Sequence, residues 1–479
     1  MNADYKKIYS LVPDSVKEIL DYFNNDNYSA YLVGGYVRDL LLNIYKTKDK
    51  NWSPSDIDIT TSATPKEIKE VLMKNNLPVY PMGEKLGTIT TKINYKFIDI
   101  TTFRMESDYS DSRHPDRVKF VSSIEQDLAR RDFTINAIAL NKNGLVDPFN
   151  GAKDLLEKES ILRAVGDAKE RFIEDPLRIL RAIRFHAIKN ITDKIDKNTE
   201  VAMFGYKEEL LKIAPERLAC EFKNILYPEY DDSKRIKNAL MKYKDIIGVF
   251  IPEIIPTFGF NQHSKYHNLD CWEHIVEVVG NTSDFEASVW VRVAAFFHDI
   301  GKPACFTLED GEGHFYGHPE KSAEMTKEIL ERLRFSNFDI KLITILIKYH
   351  DYDFTGTEKN TKKLLIKLMN EYNITKLIAI QPIFEDVVTL YKADSLAHSK
   401  KYVNTDAIDK QLDNFNKIRE KEEALSIADL AITGDDIKQL GVEEGPEIGK
   451  ILNNCFDKVY SGEIHNKYKD LIKYIKSII

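Results

Sequence analysis

The sequence predicts an α/β plus α chain, in which one α/β domain precedes several helical domains. Up to about residue 150, β-rich runs such as "AYLVGG" and "KFIDITTF" alternate with helical patterns such as "TPKEIKEVLMKNN". After Asp147-Pro148 the pattern turns helical and stays so. Because 479 residues are too many for one compact core, we predict an α/β domain at 1–150 and helical domains at 151–255, 256–400 and 401–479.

Composition narrows the class of protein without identifying a partner. The formal net charge of -8 counts mildly against a nucleic-acid binder, although a local basic face is still compatible with it. The four cysteines form no close CxxC pair, so we expect reduced thiols and a cytoplasmic location. The N-terminus lacks the apolar core of a signal peptide, and no apolar run reaches the length of a membrane span, so no membrane association is expected.

The first motif, "LVGGYVRD", predicts a strand, a turn and a helix, with Gly34 and Gly35 in the turn. Without Cβ atoms this turn lets a phosphate approach the backbone, and the N-terminus of the helix attracts anions. Arg38 follows one turn into the helix. A pair of glycines is weak evidence by itself.

Acidic side chains mark two later strands. Asp56 and Asp58 are two residues apart in "SDIDIT", so they point to the same face of a strand. Adjacent carboxylates repel one another unless a cation lies between them, and Mg²⁺ is the usual cation. Two such ions support in-line attack of a hydroxyl on a nucleotide α-phosphate. Asp99 in "FIDIT" is a candidate third carboxylate; the plainer alternative is that all three are solvated acids.

Two adjacent arginines, Arg130 and Arg131, precede Asp132 in "LARRDFTINA". Such a pair occurs in ordinary charged turns, but guanidinium groups also match the oxygens of a phosphate. The segment before it, "TTFRMESDYSDSRHPDRVKF", is polar and rich in both charges, which is typical of a mobile surface loop.

The series "GGYVRD", "DIDITTSATPKEI" and "RRDFTINAIAL" closely resembles the nucleotidyltransferase head of bacterial class II CCA-adding enzymes and bacterial poly(A) polymerases. The resemblance implies a head of the DNA polymerase β type, in which Asp56 and Asp58 hold Mg²⁺. It also implies nucleotide contacts from a set of residues: Gly34, Gly35, Arg38, Arg131, Asp132 and Asn136. The family uses the charged loop when addition changes from C to A, so its presence favours a complete CCA-adding enzyme.

The segment "IEDPLRILRAIRF" has two interpretations. Glu174 or Asp175 and Arg178 suit a capped helix start with surface ion pairs. Alternatively, a carboxylate that accepts from an exocyclic amine, beside an arginine that donates to a ring nitrogen, would accept cytosine and adenine and reject uracil and guanine. The resembled family assigns this role to the motif, so Asp175 and Arg178 are predicted to choose the base. Arg181 and Arg184 bind phosphate or simply solvate the helix.

A second resemblance concerns the domain predicted at 256–400, which is rich in histidine. "WEHIVEVV", "AAFFHDIGKP", "GHPEKSAEM", "IKYHDYD" and "LYKADSLAHS" resemble, in this order, the HD superfamily of metal-dependent phosphohydrolases. Adjacent His298 and Asp299 at an apolar helix end are costly to bury unless they are bound to something. The resemblance implies a divalent metal held by His274, His298, Asp299 and Asp394; His318 and His350 would serve a second metal or the phosphate.

The function predicted from these motifs is template-independent addition of CCA to the 3′ end of tRNA lacking it, from CTP and ATP, with release of pyrophosphate. In the resembled family, 1–150 is the head, 151–255 the neck and body, and 401–479 the tail. Three alternatives remain: a poly(A) polymerase, a partial enzyme adding only CC or only A, and an HD phosphohydrolase whose head senses nucleotides. The acidic C-terminal segment and the charged loop disfavour the first and the CC-only enzyme.

Overall fold

The chain folds into two compact units, Met1–Pro252 and Glu253–Ile479. The structure, a computed structural model, describes residues 5–49, 56–107, 117–188, 191–228, 232–264, 268–399, 401, 403, 405–420 and 427–479. Residues 108–116, the centre of the charged loop that favours complete CCA addition, lie outside the described residues. The finer division into four domains stays a prediction.

The first unit begins as a mixed α/β domain, as the sequence predicts. Its strands are β1 Ala30–Val33, β2 Ile57–Thr61, β3 Thr88–Ile93, β4 Lys96–Thr102, β5 Arg104–Ser107, β6 Arg117–Phe120, β7 Ala139–Asn141 and β8 Gly144–Val146. Its helices are α1 Tyr5–Ser10, α2 Asp14–Asn25, α3 Gly35–Leu42, α4 Pro65–Lys74, α5 Ile124–Ala129 and α6 Gly151–Leu156.

Six of these strands form one sheet, in the order β3-β4-β2-β1-β7-β8. Strands β2 and β4 are parallel, whereas β1 is antiparallel to both β2 and β7. Along β4 the residues alternate: Ile98 and Ile100 are buried in the core, whereas Phe97 and Asp99 are exposed on the other face. This period of two fixes which side chains share a face with the acidic residues.

Helix α4 shows how local sequence sets an element boundary. Thr64 caps the helix by accepting a hydrogen bond from the backbone N–H of Glu67, whose carboxylate accepts from the backbone N–H of Thr64 in return. Pro65 occupies the first turn, where its missing N–H leaves no helical bond unmade. Ile68, Val71 and Leu72 bury the inner face of the helix.

The rest of the first unit is helical, with one short parallel strand pair. The strands are β9 Ile161–Leu162 and β10 Lys194–Ile195, and the helices are α7 Ala168–Glu174, α8 Leu177–Ala187, α9 Lys197–Gly205, α10 Pro215–Leu226 and α11 Ser233–Phe250. The "EDPLR" segment joins α7 to α8: Glu174 ends the first helix, and Asp175 and Pro176 form the junction. Leu177, Ile179, Leu180 and Ile183 of α8 are buried, and Arg178 is buried with them, whereas Arg181 and Arg184 are only partly buried.

The second unit is built almost entirely from helices, with one hairpin, β11 Thr307–Glu309 and β12 Glu312–His314. The helices are α12 Cys271–Asp284, α13 Val289–Phe297, α14 Lys302–Cys305, α15 His318–Arg332, α16 Asn337–Lys348, α17 Glu358–Tyr372, α18 Leu377–Ala397, α19 Asp406–Glu420, α20 Gly434–Gln439, α21 Pro446–Tyr460 and α22 Tyr468–Ile478. In the described part of the chain, none of the helices combines the length and the hydropathy that crossing a bilayer requires.

Candidate active site and candidate metal centre

The turn between β1 and α3 brings backbone close to two charged side chains. Gly34 has φ +68°, a conformation that favours glycine. A Cβ atom on Gly34 would lie 3.1 Å from Nη1 of Arg131 and 3.7 Å from Oδ2 of Asp58. Glycine is therefore required here for both its conformation and its small size, and the turn sits directly against an arginine and a carboxylate.

The carboxylates lie together on the exposed face of the sheet. Asp58 and Asp99 are register partners on the parallel strands β2 and β4, and Asp56 precedes Asp58 by two residues. Thr90 Oγ1 on β3 donates a hydrogen bond of 2.6 Å to Oδ1 of Asp99. Desolvation in the cleft raises the pKa of Asp58, and the charges of Asp99 and Asp56 raise it further, while Arg131 opposes them. A cluster of carboxylates that disfavour one another's charge fits a divalent cation.

Each arginine of the cleft has a defined anchor. Arg38 donates from Nε and Nη2 to the carboxylate of Asp39, at 2.7 and 3.0 Å, and from Nη1 to Oδ1 of Asn136 at 2.9 Å. Arg131 Nη2 lies 3.4 Å from Oδ2 of Asp127. Three of the five N–H donors of Arg38 and one of Arg131 are thus engaged by protein side chains.

A single aromatic ring lies among three of these guanidinium groups. The Cζ atoms of Arg38, Arg181 and Arg184 lie 5.3, 5.6 and 5.1 Å from the centroid of the Phe185 ring. Phe185 is buried and packs edge-on against Phe133, with centroids 5.7 Å apart. The negative face of an aromatic ring attracts cations, so this ring stabilises positive charges that would otherwise repel one another.

These side chains surround one cavity of about 390 Å³. Its lining contains nine of the residues predicted from sequence to bind nucleotide or metal: Gly34, Gly35, Arg38, Asp58, Arg131, Asp132, Asn136, Arg181 and Arg184. Phe185, Ile188, Asn224, Tyr227 and Pro228 complete it. Asp56 and Asp99 do not line the cavity but lie on the same sheet face as Asp58. The sequence left open whether Arg181 and Arg184 bind phosphate or only solvate the helix. In the structure both line the cavity.

The two side chains predicted to choose the base are held by other residues and do not line this cavity. Asp175 accepts hydrogen bonds from the backbone N–H of Leu177 at 3.1 Å and from Nη2 of Arg217 at 2.9 Å. Arg178 is buried and donates to Oε2 of Glu174 at 2.9 Å and to backbone carbonyls of Arg171 and Arg130. The structure therefore fixes both side chains but forms no direct Asp175–Arg178 pair among the described contacts.

Two residues that contact the arginines of the cleft, Asp127 and Phe185, were not predicted from the sequence. Asp127 is fully buried and receives two hydrogen bonds from Arg130, at 3.0 and 2.9 Å, in addition to the contact with Arg131. The guanidinium groups hold the pKa of Asp127 below its ordinary value, despite the opposing effect of burial. Its position three and four residues before the arginines is the signal that identifies it on a helix. Phe185 has no comparable signal, because its apolar side chain looks like any core residue.

The candidate metal centre lies in the second unit, where four histidines and two aspartates converge in the core. His274 Nε2 lies 2.8 Å from Oδ1 of Asp394 and 3.3 Å from Oδ2 of Asp299, and His298 Nε2 lies 3.2 Å from Oδ2 of Asp299. On the other side, His318 and His350 approach Oδ1 of Asp299 at 3.4 and 3.6 Å. Two overlapping groups have the spacing for an ion: His274, His298 and Asp394, and His298, Asp299 and His350.

The imidazoles are oriented as metal ligands are. Nδ1 of His298, His318 and His350 donates to the backbone carbonyls of Ala295, Phe315 and Ile347, at 2.7, 2.9 and 2.6 Å. Since a carbonyl only accepts, Nδ1 carries a proton and the inward Nε2 is left as the donor atom for an ion.

The protonation states of the histidines in this cluster are also compatible with a bound metal ion. Burial lowers the pKa of His318 to about 3, which keeps that ring neutral. Burial opposes protonation of His298 as well, but Asp299 and Asp394 raise its pKa to about 10. His298 therefore carries positive charge that a metal ion would replace, with release of the proton.

Comparisons with known proteins cover both units. A family model described as the Poly A polymerase head domain matches residues 30–161, and one described as the HD domain matches residues 271–397. A CCA-adding enzyme of Lactobacillus helveticus is 44% identical over 468 residues, which is 96% of each chain. A CCA-adding enzyme of Staphylococcus haemolyticus is 30% identical over 468 residues, which is 97% of each chain.

Solved structures have the same fold over nearly the whole chain. The Bacillus stearothermophilus CCA-adding enzyme in complex with CTP superposes with a TM-score of 0.65 at 22% identity, covering 97% of this chain and 96% of that one. The Thermotoga maritima CCA-adding enzyme complexed with tRNA superposes with a TM-score of 0.58 at 21% identity, covering 100% of this chain and 99% of that one.

Proposed function

Because the chain belongs to the family of CCA-adding enzymes, we propose that it adds C, C and A to the 3′ end of tRNA, from CTP and ATP, with release of pyrophosphate. The observation that carries the proposal is the cavity in which Gly34, four arginines and Asp58 meet beside a second carboxylate strand. Such a site binds a triphosphate and a divalent cation together, and both are needed for transfer of a nucleotide to a hydroxyl.

In this proposal the head residues bind and orient the triphosphate. The N–H groups at the start of α3 and the guanidinium groups of Arg38 and Arg131 neutralise its oxygens. Asp56 and Asp58 would hold Mg²⁺, which when bound favours loss of the proton from the 3′-hydroxyl and stabilises the departing pyrophosphate. Asp99 keeps a third negative charge next to Asp58 and is itself oriented by Thr90. Arg181 and Arg184 would supply further positive charge in the same cavity.

Base choice is assigned to Asp175 and Arg178. Cytosine and adenine each present an amine next to a ring-nitrogen acceptor, whereas uracil and guanine present the reverse order. Each oxygen of Asp175 accepts one described hydrogen bond, so a lone pair on each oxygen remains to accept from an amine. Arg178 uses Nη1 and Nη2 in its described hydrogen bonds, which leaves Nε–H to donate to a ring nitrogen. Arg217 and Glu174 would hold the pair in place without a nucleic-acid template.

The helical remainder of the chain is proposed to bind the tRNA largely through phosphates, which makes binding weaken with salt. We also propose a cytoplasmic location, where tRNA and both nucleotides are present.

A second activity is supported by one specific observation, the convergence of four histidines and two aspartates in the second unit. We propose that His274, His298, Asp299 and Asp394 bind a divalent metal and that the centre hydrolyses phosphate esters. His318 and His350 lie on the opposite side of Asp299 and would bind a second ion or the phosphate.

The deciding experiment supplies purified protein and Mg²⁺ with a tRNA transcript that lacks CCA, together with CTP, ATP or both, and sequences the 3′ ends. Complete C-C-A ends that require both nucleotides are expected. Long A tails would instead identify a poly(A) polymerase, and C-C ends a partial enzyme. Asp58→Asn is expected to abolish addition, whereas the matched variant Asp299→Asn in the second unit is expected to leave it intact. A phosphohydrolase whose head only senses nucleotides would instead show no nucleotide addition, with phosphate-ester turnover that survives Asp58→Asn and is lost with Asp299→Asn.

A further inference from the structure

An exposed aromatic and basic surface lies at the tip of the hairpin between β3 and β4. It consists of Lys92, Tyr95 and Phe97 of the hairpin together with Tyr80, which pairs with Thr90 of β3, and we call it the hairpin patch. Tyr95 is 93% exposed and Phe97 is 59% exposed. Asn94 and Tyr95 have φ of +48° and +66°, as in a two-residue turn of type I′. Large aromatic side chains are rarely left so exposed on a tight hairpin, where a polar residue would suit the turn equally well.

The patch is organised rather than a set of isolated side chains. The rings of Tyr80 and Phe97 pack edge to face, with centroids 6.0 Å apart and planes at 69°. Lys92 Nζ lies 5.1 Å from the centroid of Phe97 and 5.8 Å from that of Tyr95. No carboxylate of the described residues pairs with Lys92. Its ammonium group is thus held between two rings and is available to an anion.

The register of the sheet places this patch next to the carboxylates. Phe97 and Asp99 are two residues apart on β4, and their partners on β3 are Lys92 and Thr90. Asp58 is the partner of Asp99 on β2. Because residues at a spacing of two share a face, the rows Asp58–Asp99–Thr90 and Phe97–Lys92 are consecutive on one exposed face. They are separated by about 7 Å along the strand.

The carboxylates therefore lie between the nucleotide cavity and the hairpin patch. The cavity is on the side of β1 and α3, and the patch is on the side of the edge strand β3. In an in-line displacement the attacking hydroxyl and the departing pyrophosphate lie on opposite sides of the phosphorus atom. A triphosphate bound at Gly34 and Arg38 with its pyrophosphate toward α3 would therefore receive the attacking hydroxyl from the side on which the patch lies.

We propose that the hairpin patch binds the unpaired 3′-terminal nucleotides of the RNA acceptor, an inference that rests on the proposed nucleotide addition. Phe97 and Tyr95 stack on bases, and Lys92 contacts the phosphate between them. Stacking on aromatic rings tolerates every base, because each has a π-face. This tolerance suits a site that must hold a 3′ end whose last nucleotide changes after each addition. A purely apolar partner surface would leave the Lys92 ammonium group without a counter-charge.

The test measures steady-state kinetics with a tRNA transcript lacking CCA, varying RNA and CTP separately. In the double variant Tyr95→Ala/Phe97→Ala we expect the KM for RNA to rise at least fivefold, while the KM for CTP stays within twofold. The single variant Phe97→Trp keeps a stacking surface, so its KM for RNA is expected to match that of the unsubstituted protein. Lys92→Met is expected to reduce the salt dependence of RNA binding by about one phosphate contact.

Leu211→Ala serves as the matched control, since this residue of the same unit is also a highly exposed hydrophobic side chain. An unchanged KM for RNA in the double variant, with normal CCA addition, would overturn the inference and leave the proposed function standing. Equal effects of the double variant and Leu211→Ala would overturn it as well. If the unsubstituted protein incorporates no nucleotide, the proposed function fails, a result that the kinetics of the variants cannot imitate.

Discussion

Arg181 of α8 donates two hydrogen bonds, of 2.9 and 2.6 Å, to the same oxygen of Asp132, which lies 49 residues earlier beside the nucleotide cavity. The other oxygen of Asp132 accepts from the backbone N–H of Phe133 and from Nδ2 of Asn136. Burial opposes ionisation, but Arg181 and these donors hold the pKa of Asp132 well below its usual range. A single buried carboxylate thus ties α8 to the loop that carries Arg131.

Separating this pair is expected to be costly. Asp132→Asn leaves the buried Arg181 charge with the weaker interactions of Glu221, at 3.7 Å, and of Asp175, so we expect a loss of about 3 kcal/mol in the free energy of unfolding. Urea denaturation followed by far-UV circular dichroism measures it. Arg181→Met and the double variant complete a cycle, in which the two losses should be less than additive by at least about 1 kcal/mol. Strict additivity would show that the pair does not stabilise the unit.

Two glycines with positive φ allow the effect of backbone strain to be distinguished from the effect of a steric clash. Gly34→Ala and Gly166→Ala both place a side chain at positive φ, +68° and +66°, so each is expected to lose at least about 1 kcal/mol of stability. At Gly34 the new methyl group also meets Nη1 of Arg131, whereas nothing lies within 4 Å of it at Gly166. We expect kcat/KM to fall about 100-fold for Gly34→Ala only, because displacing a positioned group by a fraction of an ångström disrupts the reacting geometry.

The ring of Phe185 is expected to act on triphosphate binding. Phe185→Leu removes the face that three guanidinium groups share, so the KM for CTP and for ATP should rise together by about tenfold, with a smaller change in kcat. Phe185→Tyr should retain the unsubstituted values. Phe23→Leu, at a fully buried ring in the same unit, is the control for lost packing. A KM effect of the same size in Phe23→Leu would reduce the role of Phe185 to core packing.

Acid sensitivity of the first unit is predicted from His186. Burial, together with the charges of Lys242 and Arg235, lowers its pKa to about 4, and its buried Nδ1 has no hydrogen-bond partner among the described residues. Between pH 6.5 and 4, His186 therefore binds a proton in the unfolded chain but not in the folded chain. The free energy of unfolding falls as pH is lowered through this window.

The loss is expected to be on the order of 2 kcal/mol. His186→Phe keeps a ring against Tyr243 but removes the titration, so its thermal midpoint should vary less with pH over the same range. The exposed His465→Gln should follow the unsubstituted protein. If the pH profiles of His186→Phe and the unsubstituted protein coincide, His186 does not control the acid limb.

Metal binding in the second unit is expected to change the midpoint of thermal unfolding. Mn²⁺ added to chelator-treated protein is expected to raise the midpoint of unfolding, since an ion that binds only the folded state stabilises it. His298→Gln should remove this shift by deleting a side chain common to both ligand groups. Asp58→Asn, in the first unit, should preserve it. Titration calorimetry distinguishes one bound ion from two.

The sequence was sufficient for much of the fold and the head site, for reasons that particular residues illustrate. Gly34 and Asp58 belong to short motifs whose chemistry depends on spacing of a few residues, and the structure brings them together. The pairing of Asp58 with Asp99 needed the strand order, which spacing does not contain. Asp127 and Phe185 are buried, so their pattern resembled ordinary core or helix residues. For Asp175 and Arg178 the sequence predicted a role, but their partners Arg217 and Glu174 depend on helix packing.

The lining of the nucleotide cavity extends from Gly34 to Pro228, almost the full length of the first unit. During translation, therefore, the glycine turn and the carboxylate strands leave the ribosome long before the residues that close the cavity. A nascent chain arrested before α8 holds the carboxylates but lacks Arg181 and Arg184, so triphosphate affinity arises late in synthesis. Because the first unit is compact on its own, we expect it to complete its folding while the second unit is still being made.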